Sequence, residues 1–91
     1  MRAKRLVIRG RVQGVGFRDW LVAEATRLGL AGWARNRADG SVETLIYGEM
    51  DAVEELQRAC RRGPRGAAVS EINEALAEPP PDPGFHRLPS R

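Results

Sequence analysis

One cysteine, one histidine and one lysine are all that this chain supplies of three reactive residue types. Cys60 has no second thiol to pair with, so no intrachain disulfide forms, and a reducing cytoplasm is the expected compartment. With a single His and a single Cys, a zinc site lacks its usual ligands. Long apolar runs are missing as well. Leu6-Val7-Ile8 is broken at once by Arg9, so the basic start leads into neither a signal peptide nor a membrane span.

What remains is a chain of 91 residues, enough for one small domain over 1–91 with a modest core. Hydrophobic residues make up 42% and charged ones 30%, the balance of a folded globular domain rather than a disordered one. The net charge is +3, carried almost wholly by arginine. Such a surface favours anionic ligands but is too mildly basic to argue for nucleic acid.

The most informative stretch is Gly10-Arg11-Val12-Gln13-Gly14-Val15-Gly16-Phe17-Arg18. It stands between a strand-like run, Lys4 to Val12, and a helix-like one, Arg18 to Leu28. Leu6, Ile8, Gly10 and Val12 fall on one face of the strand; Arg5, Val7, Arg9 and Arg11 fall on the other, a basic solvent face. Phe17, Leu21, Ala25 and Leu28 build one apolar stripe on the helix. Backbone amides from Gly14 through Val15, Gly16 and Phe17 to Arg18 can converge on one phosphoryl group at the helix N-terminus, with the Arg18 guanidinium beside them. The plainer reading is a tight strand-to-helix turn with a solvated Arg18.

Gly32 to Arg37 and Ser41 to Gly48 flank Asp39-Gly40, a strong hairpin signal. Asn36 near the end of the first of these strands has two readings, a turn neighbour or a carboxamide that holds a water molecule. Trp33 is expected in the core. A second helix over Asp51 to Arg62 carries Val53, Leu56 and Cys60 on its apolar side and stops at Gly63-Pro64.

Residues 67–77 read as helix by propensity, with Ser70 as an N-cap. Read as a strand, they complete the order βαββαβ. That is an α+β, ferredoxin-like sandwich, an antiparallel sheet with two helices on one face. The fold closes only if tertiary context overrides propensity there. Pro79 to Gly84 is a stiff connector, and Phe85 to Leu88 a candidate edge strand.

Val12 to Arg18, followed by Gly32 to Glu43, resembles the two signature segments of the acylphosphatase family in order and spacing. Gly63-Pro64, Ala68 and Val69 resemble its later pattern. The resemblance implies the same sandwich and hydrolysis of the carboxyl–phosphate bond of small acyl phosphates, without metal or cofactor. It implies that Arg18 and the loop amides of Gly14, Val15, Gly16 and Phe17 bind the phosphoryl group and that Asn36 positions the attacking water. A monomer that contacts neither nucleic acid nor membrane is expected. Ala34 and Arg87 depart from the family's usual apolar, larger side chains at their positions. Two other readings stand beside this one. One is a non-enzymatic phosphate- or nucleic-acid-binding module of the same fold, against which speaks the lack of an Arg/Lys-Gly-Phe-Gly-Phe-like run. The other is a domain of a larger enzyme that handles carbamoyl phosphate.

Overall fold

The computed structural model describes residues 1–91. In chain order the elements are β1 (Arg2–Arg11), α1 (Phe17–Arg27), β2 (Ala31–Asn36), β3 (Val42–Gly48), α2 (Met50–Arg62), β4 (Ala68–Leu76) and β5 (Phe85–Arg87). One sheet holds all five strands in the order β4-β1-β3-β2-β5. Both helices pack on the face where Leu6, Ile8, Val42 and Ile46 are fully buried. From α1 come Phe17, Leu21 and Ala25, and from α2 come Val53, Leu56 and Cys60. Full burial of an aliphatic or aromatic side chain contributes about 1.5–3 kcal/mol, so this single layer holds the domain together.

Residues 68–76 form a strand despite their helical propensity. Strand β1 lies second in the sheet, so its outer edge needs a partner for its N–H and C=O groups from Lys4 to Arg11, and β4 supplies it. Ile72 and Val69 pack against the core from there. The weak alternation of this segment is that of an edge strand, exposed over most of its length.

The expected antiparallel sheet is in fact mixed, because β5 runs parallel to β2. The cause is topological. Leu76 at the end of β4 sits beside Lys4, at the same end of the sheet where β2 begins. The proline-rich connector crosses under that end, and β5 must leave in the direction of β2.

Two expectations about the open face are corrected. Val7 is not solvated: it is 6% exposed, flanked in register by Glu43 and Asn73. Trp33 is not in the core but half-buried on the open face, with the Arg35 guanidinium carbon 4.9 Å from its ring centroid. Residues 33 and 35 share a face, so an inward Trp33 would drag a charged Arg35 inward with it. Ala34, fully buried, takes the core position instead. Arg35 and Arg5 both donate to Glu43, which is 3% exposed. Burial alone would raise the pKa of Glu43, but the two guanidiniums outweigh it and hold the carboxyl below its ordinary value.

Candidate active site

The site forms where β1 gives way to α1. Val12 and Phe17, each 1% exposed, are buried anchors at the two ends of the loop. Phe17 meets Trp20 edge to face at 5.2 Å. Between the anchors Gly14 (φ 78°) and Gly16 (φ 75°) adopt the left-handed conformation that L side chains resist. Gly16 is the N-cap of α1, and no side chain caps the helix there. The first amides of α1, with the positive end of the helix dipole, therefore face outward uncapped.

Arg18 follows in the first turn. Its Nη1 donates to the Leu88 carbonyl at 2.9 Å and to Ser90 Oγ at 3.3 Å. Both acceptors are neutral, so the guanidinium is oriented without losing its charge to a carboxylate. Asp19 beside it, the one acid lining the site, is paired with Arg87 at 2.6 Å.

Asn36 ends β2 and faces the loop. A cavity of about 190 Å³ is lined by Val12, Gln13, Gly14, Gly16, Phe17, Arg18, Asp19 and Asn36. Asn36 Oδ1 is buried and accepts no hydrogen bond from any protein donor. A buried acceptor left in that state costs about 1–3 kcal/mol. Of the residues singled out in the sequence, Gly14, Gly16, Phe17, Arg18 and Asn36 thus line one cavity. The Val15 side chain does not; it packs against the core.

Several further residues shape the site. The segment after β5 runs along the outer edge of β2 through Leu88 N to Ala34 O (2.8 Å) and Arg91 N to Asn36 O (2.9 Å). That path brings Leu88 and Ser90 to Arg18, and no local signal announces a contact across 70 residues. Gln13 Nε2 donates to the carbonyls of Arg37 and Ser41 at 2.8 and 2.9 Å. In the sequence it stands directly before the glycine loop. The turn itself is held by Asp39, whose Oδ1 accepts from Ser41 Oγ at 2.6 Å and Ser41 N at 3.0 Å. These bonds, helped by Arg9, pull the Asp39 carboxyl down from 3.8 to about 2. His86 is exposed and bonded to the Pro83 carbonyl, and Cys60 is fully buried on α2. No helix is long and apolar enough to cross a membrane.

Comparisons of sequence and of fold with known proteins point the same way. The profile of the acylphosphatase family matches residues 4–87. An acylphosphatase of Acidiphilium cryptum is 65% identical over 85 residues, 93% of each chain. The crystal structure of acylphosphatase from Bacillus subtilis superposes with a TM-score of 0.90 at 35% identity, covering 97% of this chain and 99% of that one. Full-length HypF in its phosphate- and nucleotide-bound form contains a similar unit, TM-score 0.90 at 27% identity, in 12% of its length. A match that spans nearly the whole chain, in sequence and in fold alike, establishes that it belongs to the acylphosphatase family of enzymes.

Proposed function

We propose that the protein hydrolyses the carboxyl–phosphate bond of small acyl phosphates by in-line attack of a water held by Asn36. The phosphoryl group lies in the Gly14–Arg18 loop. One observation carries this reading: Asn36, whose Oδ1 has no protein partner, lines the same cavity as Arg18 and the start of α1, where no side chain caps the helix.

The chemistry asks little more. Asn36 Oδ1 accepts a hydrogen from the water and turns an oxygen lone pair toward phosphorus. As the new P–O bond forms, the bond to the acyl oxygen breaks and its electron pair leaves with the carboxylate. A carboxylate departs without a general acid. The proton of the water passes to a phosphoryl oxygen, and inorganic phosphate results. The loop amides and Arg18 stabilise the charge on the phosphoryl oxygens through preorganised donors. By the same reading the enzyme is a cytoplasmic monomer that works without metal or cofactor.

Hydrolysis of benzoyl phosphate tests it. Turnover is expected with no metal added and in the presence of a chelator. Arg18→Ala removes a charge-assisted contact of about 1.5–3 kcal/mol and should lower kcat/KM by about 10- to 150-fold or more. Unchanged activity in that variant refutes the loop assignment. Phosphate binding without turnover in the wild type favours a binding module of the same fold.

A further inference from the structure

The two halves of the site sit on branches that the sheet itself does not join. Pairing of β1 with β3 ends at Ile8 and Val42. Beyond that point β1 pairs only with β4, while Asn36 and the turn after it follow β2 and β3. No backbone hydrogen bond links the loop of residues 12–18 to residues 36–41. The side chain of Gln13 joins them directly; the other ties are Arg9 to Asp39 at the exposed turn and Arg18 to the segment that runs along β2. The Gln13 amide nitrogen gives both hydrogens to the hairpin, one to Arg37 O at 2.8 Å and one to Ser41 O at 2.9 Å. Arg37 N also donates to Ser41 O at 2.9 Å, so Gln13 closes the neck of the hairpin directly after Asn36. Two carbonyl acceptors at one atom demand an NH₂ group, which settles the orientation of the amide and excludes a carboxylate in its place.

We propose that Gln13 is a positioning residue that sets the separation between the phosphoryl-binding loop and the Asn36 carboxamide. The inference rests on the function proposed above. Binding of phosphate draws on the amides of Gly14 to Arg18 and on the Arg18 guanidinium, and the Gln13 side chain bonds to none of these. In-line attack needs both halves in register, where a misplacement of about 1 Å costs on the order of 100-fold. Loss of the bridge should therefore reach turnover and spare binding.

The test is Gln13→Met, which keeps the length and removes both donors, made in the wild type and in Asn36→Ala. The readouts are kcat and KM for benzoyl phosphate and the inhibition constant of inorganic phosphate. Expected are a fall in kcat of about 10- to 100-fold, a phosphate constant within about two-fold, and little further fall when Asn36 is already Ala. If Gln13→Met does not fold, Gln13→Asn keeps the amide, shortens its reach and must show the same split. Wild-type kcat in either folded variant overturns the inference. So does phosphate binding that weakens in step with kcat, or an undiminished loss in the Asn36→Ala background. Those results leave the proposed function standing; a wild type that does not hydrolyse benzoyl phosphate overturns both.

Discussion

Replacing Asn36 by alanine should separate activity from stability. Its Oδ1 serves no protein donor, so truncation leaves no donor orphaned. The backbone carbonyl that accepts from Arg91 N is retained, as is the register of Asn36 against Val42. What is lost is the packing of a small amide, and what is relieved is the burial of a polar atom, two terms of similar size and opposite sign. Stability should stay within about 1 kcal/mol of wild type, or about 4–8 °C in Tm for a domain this small. Turnover is another matter. Loss of one preorganised group at a reacting centre typically costs about 2.7–4 kcal/mol of barrier, or about 100- to 1000-fold in kcat. Benzoyl phosphate hydrolysis, inhibition by inorganic phosphate and thermal unfolding followed by circular dichroism measure the three quantities on one preparation. A destabilisation above about 2 kcal/mol would show that Asn36 serves the fold. A kcat within about three-fold of wild type would remove the water-holding role, and joint loss of turnover and phosphate binding would place Asn36 in the cradle instead.

Three further outcomes follow from the packing and the charges. A Cβ on Gly63 would stand 2.6 Å from Phe17 Cε2, so Gly63→Ala should destabilise by about 1–3 kcal/mol and disturb the start of α1; urea unfolding with unchanged stability refutes that contact. Asp39 is held at about 2 in the fold against an ordinary 3.8, so its bonds to Ser41 stabilise above 3.8 and are lost as pH falls from there toward 2. Asp39→Asn should flatten the loss of stability across that window in acid unfolding, and parallel curves would count against it. Burial pushes the Cys60 thiol up to about 12, so a thiol reagent near neutral pH should label the unfolded chain and spare the native one; rapid native labelling would contradict the packing of α2.

Much of the fold was legible because its signals are local. The apolar stripe of Phe17, Leu21 and Ala25 and that of Val53, Leu56 and Cys60 each sit on one helix, and both helices lie within a residue of their expected starts. The Asp39-Gly40 turn likewise declares the hairpin. Local pattern was insufficient or misleading where the deciding partner lies far along the chain. Residues 68–76 yield their helical propensity to the open edge of β1. Trp33 faces outward because Arg35 shares its face and Glu43 stands across on β3. Val7 is buried by neighbours on β3 and β4 that its own alternation with Arg5 and Arg9 does not reveal. At the site, Arg18 and Asn36 could be named from residue type and motif; Gln13 lay in the motif without a visible role, and Leu88 and Ser90 gave no signal.

The sequence alone therefore determined the parts: a glycine loop ahead of an uncapped helix, an arginine in its first turn and a carboxamide beside a hairpin. Their φ preferences, charges and hydrogen-bonding groups are properties of the residues themselves. Tertiary structure decided the relations between them, because those depend on contacts that close large loops. It put Asn36 opposite the loop, held Arg18 with a segment 70 residues away, and bridged the two branches through one glutamine.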